Sequence, residues 1–286
     1  MASPILVIDP EQLREWVGRE RITHDELSPF PARALAAAFD RRDAPSVGDA
    51  LPPAWHWLYF LETPDASGTG PDGHPRLGGF MPPVPLPRRM WAAGHFDVVS
   101  PLALGRPASR RSVIRSVQPK SGRSGTLVFV TLDHELSQDG RVCIQEEQNL
   151  VYREIPAGPA PAPAGEAAPA NADFRRTIQP DPVLLFRYSA LTYNSHRIHY
   201  DRPYAIDQEF YPALVVQGPL LATLLLDLLR AALPDTRVAA YSFRAVRPCF
   251  DSAPVQLCGK QEDRTVALWT SDHSGQLSMQ ATARLV

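Results

Sequence analysis

The sequence has little cysteine and no recognisable leader. Its 286 residues contain only three cysteines, Cys143, Cys249 and Cys258. These are too few and too widely separated for a disulfide framework or a paired-cysteine zinc site. The first ten residues, MASPILVIDP, contain neither a basic segment nor a long apolar one, so no signal peptide is predicted. A reducing compartment, the cytoplasm, is therefore the expected location.

The chain also lacks an excess of charge of either sign. It has 29 Lys and Arg residues against 31 Asp and Glu residues, for a formal net charge of -2. This balance argues against a generally basic nucleic-acid-binding domain and against an acidic tail protein. The most apolar stretch, residues 214–233, is interrupted by Gln217, Pro219, Asp227 and Arg230. A membrane span needs about 18 or more nearly uninterrupted apolar residues, so the stretch is predicted to be a buried helix.

Proline, in contrast, is abundant, with 30 residues in the chain. Residues 156–170 read PAGPAPAPAGEAAPA, a composition that cannot bury enough apolar surface to fold and that is typical of an extended linker. We therefore predict an N-terminal unit at 1–155, a linker at 156–172 and a C-terminal unit at 173–286. Each unit is long enough to have its own core.

Both units show the same order of elements, an apolar helix followed by antiparallel strands, which predicts an α+β fold. In the C-terminal unit the helix follows Gly218 and Pro219, and four strand segments lie in residues 241–286. In the N-terminal unit a helix is predicted after Ser28, and strands are predicted at 95–101, 110–117, 125–136 and 141–154. The segment between helix and strands, Gly78 to Trp91, is rich in proline and is predicted to be an irregular loop.

The densest polar cluster is YSALTYNSHRIHYD, Tyr188 to Asp201, in a region without clear periodicity. The pattern is compatible with a polar surface turn, with a metal site formed by His196, His199 and Asp201, and with the HxxxxD pair of an acyltransferase formed by His196 and Asp201. A fourth interpretation is general acid–base catalysis by one histidine beside an amide or a carboxylate.

The segment FRYSALTYNSHRIHYDRPYA resembles the hydratase-2 signature of the MaoC-like enoyl-CoA hydratases. It is most similar to the branch of mesaconyl-C4-CoA hydratase, itaconyl-CoA hydratase and the mitochondrial 3-hydroxyacyl-thioester dehydratases. The resemblance continues through VVQGPLLATLL and FRAVRPCF in the C-terminal unit, and through FMPPVPLPRRMWAAG, KSGRSGTLVFVTLDHE and EEQNLVYRE in the N-terminal unit. It implies a double hotdog, two antiparallel sheets that each wrap a central helix and merge as a pseudo-dimer. The N-terminal unit has no counterpart of NSHRIH, so one active site per chain is expected.

The resemblance also implies roles for individual residues. His199 matches the family's catalytic histidine, and Gly218 matches the glycine whose N–H stabilises the thioester oxygen at the start of the central helix. Asn194 stands where the wider signature has a catalytic aspartate; an amide cannot accept a proton from water, but it can orient that water. Asp201 is either a substitute base or a turn residue that binds local backbone. Candidate substrate contacts are Ser195, His196, Tyr200, Arg247 and Arg244, and Arg187, Arg88 and Arg89 are further candidates for the CoA phosphates.

The implied reaction is the reversible hydration of a C5 dicarboxylic enoyl-CoA, itaconyl-CoA or mesaconyl-C4-CoA, to citramalyl-CoA, as in itaconate degradation. The alternatives are a 3-hydroxyacyl-thioester dehydratase of straight fatty chains and a non-catalytic hotdog that binds acyl-CoA. The expected partner is the acyl-CoA substrate, with no metal, no other cofactor, no nucleic acid and no membrane. A homodimer is compatible with the sequence.

Overall fold

One antiparallel sheet runs through both halves of the chain, and the main hydrophobic core contains residues of both. The computed structural model describes residues 9–122, 125–159 and 165–286, and within them ten strands pair in the order β1-β3-β4-β5-β2-β7-β10-β9-β8-β6. The strands are β1 (Glu20–Asp25), β2 (Arg88–Val98), β3 (Ala108–Gly122), β4 (Gly125–Gln138), β5 (Arg141–Arg153), β6 (Phe174–Ile178), β7 (Val238–Ala245), β8 (Val255–Glu262), β9 (Thr265–Ser271) and β10 (Leu277–Leu285). The five strands of each half stay together, and the halves meet where β2 pairs with β7.

Five α-helices accompany the sheet in the described residues. They are α1 (Pro10–Arg14), α2 (Pro29–Ala38), α3 (Pro182–Leu191), α4 (Arg202–Asp207) and α5 (Gly218–Ala232). The α+β class predicted from the sequence is therefore confirmed. No helix in the described part of the chain is long and apolar enough to cross a membrane.

The predicted apolar helix is the buried helix α5. All ten residues from Leu220 to Leu229 are buried, because strands of the C-terminal half and β2 surround the helix. A helix that is apolar on nearly every face has no side to expose, and burial against a curved sheet satisfies this requirement. The strand β10 shows the matching pattern, since Ala281, Ala283 and Leu285 are buried and their neighbours in between are exposed.

One charged side chain is enclosed with this helix. Asp227 is buried, and its carboxylate accepts hydrogen bonds at 2.8 Å from Arg41, which follows α2, and at 2.8 Å from Arg176 of β6. Arg230, one turn later on α5, lies 3.6 Å from the same carboxylate. Arg41 belongs to the N-terminal half, so Asp227 joins the two halves as well as α5 and β6.

The predicted loop from Gly78 to Trp91 is wrong at its end, because β2 begins at Arg88. Arg88 to Trp91 pair with Leu150 to Arg153 of β5. The prolines prevent regular structure only up to Pro87, and the four residues after it are free to donate to the sheet. Sequence patterns also missed β1 and β6, whose alternating exposed and half-buried residues reflect their position at the two edges of the sheet.

The proposed division at 156–172 stays a prediction. Residues 160–164 of that linker lie outside the described residues, and the sheet continues from one half to the other through β2 and β7. The three cysteines are unpaired and buried.

Candidate active site

The polar cluster forms a short loop between α3 and α4, which we call the catalytic loop (residues 192–201). Tyr193 has a left-handed backbone (φ 49°), which ends α3 and turns the chain so that the Asn194 N–H donates to the Ser189 carbonyl at 2.8 Å. Residues Arg197–His199 form a single 3-10 turn. The loop ends at Asp201, whose carboxylate accepts from the Tyr204 N–H at 3.1 Å and caps α4.

His199 has only one ring nitrogen free to react. It is 7% exposed, and its Nδ1 lies 2.7 Å from the carbonyl oxygen of Val215. A carbonyl can only accept, so Nδ1 carries the proton and Nε2 holds the lone pair. Burial lowers the pKa of His199 to about 4, against which the bond to Val215 acts weakly. The neutral ring is therefore the form present near pH 7, with Nε2 available as a base.

Asn194 lines the same cavity as His199. Its Oδ1 accepts from the His196 N–H at 3.1 Å, which fixes the orientation of the amide. The NH₂ group is then the part left to donate. It can hold a water molecule, whereas it cannot remove a proton.

Gly218 is the first residue of α5 and lines the cavity. The preceding residue, Gln217, anchors this end of the helix, because its amide donates to the Leu185 carbonyl at 3.0 Å and to Ser189 Oγ at 2.9 Å. The N–H groups of a first helical turn lack partners within the helix and carry partial positive charge, and Pro219 has no N–H to offer. A Cβ built on Gly218 meets only Trp91 O at 3.5 Å and Met279 Cε at 4.0 Å, so packing does not demand glycine here.

A segment of the N-terminal half, residues 70–76, holds the catalytic loop in place. The Ser195 hydroxyl donates to the Gly73 carbonyl, and the Arg197 N–H donates to the Asp72 carbonyl at 2.9 Å. The contact is so close that a Cβ on Gly73 would lie 1.8 Å from the Ser195 carbonyl oxygen. Sequence reasoning missed this segment, because no local pattern marks a contact that spans about 120 positions along the chain.

The segment brings a third histidine, His74, to the site. The rings of His74 and His196 are 4.0 Å apart, and His196 and His199 are 5.4 Å apart. Asp72 Oδ2 lies 2.9 Å from His74 Nδ1. Burial, and then the neighbouring positive groups, keep the pKa of both His74 and His196 well below the usual value.

Asp72, His74 and His196 are also the described residues that could share a metal ion, since one ligand atom of each lies within 4.8 Å of the others. This trio differs from the predicted one of His196, His199 and Asp201. It offers three ligands, one of which is already bonded to another, whereas structural zinc sites use four.

Asn194, His199, Gly218, His74 and His196 line a cavity of about 840 Å³ that both halves form, a size typical of small-molecule sites. Trp57 and Trp91 of the N-terminal half contribute apolar wall, and their rings are 5.0 Å apart. Further inside the N-terminal half, the lining includes a polar set, Arg110, His134, Glu146 and Gln148. Glu146 is bonded to Trp57 Nε1 at 2.7 Å.

The other predicted contacts fall in three groups. Ser195, Tyr200 and Arg247 line the cavity, the last with its guanidinium bonded to Gln276 and 3.6 Å from Asp272. Arg187 and Arg244 are exposed and Arg88 is buried, paired with Glu209 at 2.7 Å; Arg89 faces the cavity. Asp201 lies outside the cavity lining, paired at 2.8 Å with Arg197. Its contacts are those of the turn residue rather than those of a base.

The arrangement suits proton transfer beside a carbonyl group. A neutral imidazole can take and return a proton, an amide can hold the reacting water, and a helix N-terminus can stabilise negative charge on an oxygen. All three line one largely apolar cavity, where electrostatic interactions are stronger than in water.

Comparison with known proteins identifies the family and the fold of the chain. Residues 54–251 match the family model of hydroxyacyl-thioester dehydratase type 2. The chain is 45% identical over 272 residues to mesaconyl-C(4)-CoA hydratase of Chloroflexus aurantiacus, covering 94% of this chain and 96% of the relative. A solved MaoC-like dehydratase covers 96% of this chain and is itself covered to 99%, with a TM-score of 0.69 at 16% identity. A Mycobacterium tuberculosis protein described as a double hotdog fold has a TM-score of 0.57 at 13% identity and covers 94% of this chain and 96% of its own. The double hotdog fold expected from the sequence is thereby confirmed.

Proposed function

The chain belongs to the hydroxyacyl-thioester dehydratase type 2 family of MaoC-like enzymes, and from this premise we propose that it hydrates a C5 dicarboxylic enoyl-CoA. The substrates are mesaconyl-C4-CoA and itaconyl-CoA, and the product is citramalyl-CoA. The family and the relative at 45% identity support an enoyl-CoA hydratase. The observation that carries the mechanism is the single free nitrogen of His199, on the same cavity as the N-terminus of α5.

In the proposed reaction His199 moves the proton. In mesaconyl-C4-CoA, whose double bond is conjugated to the thioester, Nε2 removes a proton from water as the oxygen attacks the carbon β to the thioester carbonyl. The double bond of itaconyl-CoA lies one carbon further out, so this substrate must first be isomerised to the conjugated form, with one proton leaving the α carbon and one added to the terminal CH2. The thioester oxygen gains negative charge as the double bond shifts, and the N–H of Gly218 stabilises it. His199 then delivers a proton to the α carbon, so that one H and one OH are added and the base is regenerated. One oxyanion donor of this kind is worth about 10²–10³ in rate.

In this mechanism Asn194 positions the attacking water. Its Oδ1 is engaged with the His196 N–H, so its NH₂ group is able to donate to the attacking oxygen. With an amide at this position a second carboxylate base is missing, and the scheme therefore uses one histidine for both proton transfers. The proposed mechanism uses only groups of the chain itself. The cytoplasmic location of the protein stays a prediction.

The substrate assignment is tested by incubating the purified protein with mesaconyl-C4-CoA, itaconyl-CoA and crotonyl-CoA and measuring the gain of one water by mass spectrometry. We expect hydration of the C5 dicarboxylic thioesters and little on crotonyl-CoA. Preference for crotonyl-CoA would instead place the protein with dehydratases of straight acyl chains. Binding of all three without hydration would identify a non-catalytic acyl-CoA-binding protein.

The catalytic assignment predicts that His199→Ala lowers kcat by about 10²–10⁴, the usual contribution of a general acid–base group. The matched control is His273→Ala, which removes an exposed histidine in the turn before β10. Steady-state hydration rates and circular dichroism of both variants check this. Wild-type turnover in a correctly folded His199→Ala protein would contradict the role of His199.

A further inference from the structure

The guanidinium of Arg89, which has no carboxylate partner in the described part of the chain, lines the cavity that His74 and His196 also line. Within the described residues, Arg89 forms no ion pair with Asp or Glu, whereas its neighbour Arg88 is buried against Glu209 at 2.7 Å. Alternation along β2 sends the two side chains to opposite faces of the sheet. Arg88 therefore has a structural partner, and Arg89 offers its charge to the cavity.

Arg89 lines the same cavity as His74, His196 and His199. The ring of His196 lies between the other two histidine rings, 4.0 Å from His74 and 5.4 Å from His199. After burial, the positive charge of Arg89 contributes to the lowered pKa of both His74 and His196.

His196 is the second element of this wall. It is 4% exposed, it lines the cavity, and its ring nitrogens form no hydrogen bond to other described residues. The ring is held by contact with His74, which Asp72 in turn fixes through Nδ1. A ligand acceptor in the cavity can therefore take a hydrogen bond from the imidazole N–H without displacing a partner within the described residues.

The proposed substrates carry their free carboxylate next to the reacting carbon. In both mesaconyl-C4-CoA and itaconyl-CoA the free carboxylate is attached to the carbon that receives the hydroxyl. With about 3 Å from Nε2 of His199 to the water and about 3 Å from the water to that carbon, the carbon lies within about 6 Å of Nε2. The ring centroids of His196 and His199 are 5.4 Å apart, so His196 is near enough to contact a carboxylate that extends from this carbon toward it.

We propose that Arg89 and His196 bind the free carboxylate of the acyl group and thereby select dicarboxylic over simple acyl thioesters. Arg89 supplies the permanent positive charge, and His196 donates one N–H to a carboxylate oxygen. The inference rests on the proposed function and adds to it the residues that determine specificity. A hydrogen bond to a charged group contributes enough to change affinity by about 10- to 100-fold.

The test compares two ligands that cannot be hydrated, succinyl-CoA and butyryl-CoA, by isothermal titration calorimetry. They differ by a carboxylate in place of a methyl group on the same carbon. We expect wild-type protein to bind succinyl-CoA at least about tenfold more tightly. Arg89→Gln should bring the ratio of the two dissociation constants close to one, and Arg89→Lys should retain part of it. The matched control, Arg106→Gln, removes an arginine that is exposed and paired with Asp139, and it should keep the wild-type ratio.

The outcomes separate this inference from the function on which it rests. Equal wild-type affinities for the two ligands, or an unchanged ratio in Arg89→Gln, would overturn the carboxylate site even if mesaconyl-C4-CoA is hydrated. An Arg89-dependent preference for succinyl-CoA without any hydration would keep the site and overturn the function. A stoichiometric metal ion on Asp72, His74 and His196, found by elemental analysis of the purified protein, would overturn direct contact with His196. If a variant does not fold, equal affinities of the wild-type protein for succinyl-CoA and butyryl-CoA would still overturn the proposal.

Discussion

At the scale of the residue, the reactive state of His199 is set by its burial. The bond from Nδ1 to the Val215 carbonyl fixes which nitrogen is free, and removal from water disfavours the charged ring. A surface histidine with an ordinary pKa near 6.5 is partly protonated at neutral pH. His199 stays neutral there, so in the proposed mechanism nearly every molecule has Nε2 free to accept a proton.

This difference predicts the pH dependence of hydration. The base must be neutral to act, and its pKa is lowered to about 4, so kcat/KM should stay level from pH 8 down to about pH 5. Below pH 4 it should fall about tenfold per pH unit, because the proton then occupies Nε2. The measurement is the initial hydration rate at low substrate concentration across this range, after a check that each pH leaves the protein folded.

A fall in kcat/KM that begins near pH 6.5 would show that His199 has an ordinary pKa in solution. The bond to Val215 would then offset the effect of burial, whereas burial is the larger of the two effects in the structure.

At the scale of the element, the catalytic loop depends on a segment from the other half of the chain. Gly73 has a left-handed backbone (φ +92°), and a Cβ there would meet the backbone of Ser195 at 1.8 and 2.7 Å. Backbone atoms cannot move aside as a flexible side chain can. A side chain at this position must therefore separate segment 70–76 from the catalytic loop.

We accordingly predict that Gly73→Ala lowers kcat by more than tenfold while the protein stays folded, because the loop that carries Asn194 and His196 is displaced. The matched control is Gly48→Ala. Gly48 also has a positive φ (+89°), but nothing lies within 4 Å of its Cβ position, so this variant carries only the backbone strain, about 1–2 kcal/mol. Hydration rates and thermal melting of the two variants separate strain from displacement. Equal activity of both variants would contradict the close contact.

Helix α5 depends on Asp227 in a comparable way. Three arginines, Arg41, Arg176 and Arg230, face this buried carboxylate. Arg41 also pairs with Asp43 at 2.7 Å, so Asn at position 227 would leave Arg176 and Arg230 without a carboxylate partner among the described residues. Removing one partner of a buried ion pair costs about 3–5 kcal/mol. These arginines are partly exposed, so we expect the lower end of that range for Asp227→Asn.

Equilibrium unfolding in urea measures the loss for Asp227→Asn against the control Asp235→Asn, which changes an exposed residue beyond the end of the helix. If the free energies of unfolding of the two variants differ by less than about 1 kcal/mol, the arginines are solvated by water when the carboxylate is removed.

The sequence predicted the elements whose pattern is local and strong. The apolar run of α5 and the alternating strands of both halves identified the α+β class, and the NSHRIH cluster identified the loop that carries Asn194 and His199. Edge strands such as β1 have too few apolar residues to be recognised. The contact between the rings of His74 and His196 could not be predicted from the sequence either, because it depends on tertiary packing between the halves.

At the scale of the whole molecule, each half completes the other. The core that surrounds α5 includes Phe96 of β2 with Tyr241 and Phe243 of β7, and the sheet is continuous through the pairing of residues 93–97 with 240–244. The C-terminal half supplies His199 and the N-terminus of α5 to the cavity, and the N-terminal half supplies Trp57, Trp91, His74 and Arg89. In the proposed function, one catalytic motif per chain would suffice because the other half completes the cavity. Whether two chains pair further stays a prediction.

The shared core predicts what happens when the chain is cut in the proline-rich segment. Expressed separately, residues 1–159 and 165–286 should fail to unfold cooperatively, because β2 and β7 each lose a partner strand and buried aromatic side chains meet water. Expressed together, they should copurify and hydrate the substrate, since the cut itself breaks none of these contacts. Light scattering and hydration rates of each half and of the pair provide the measurement. A C-terminal half that is active alone, as a monomer or as a dimer of two such halves, would show that it does not need the N-terminal half for its site.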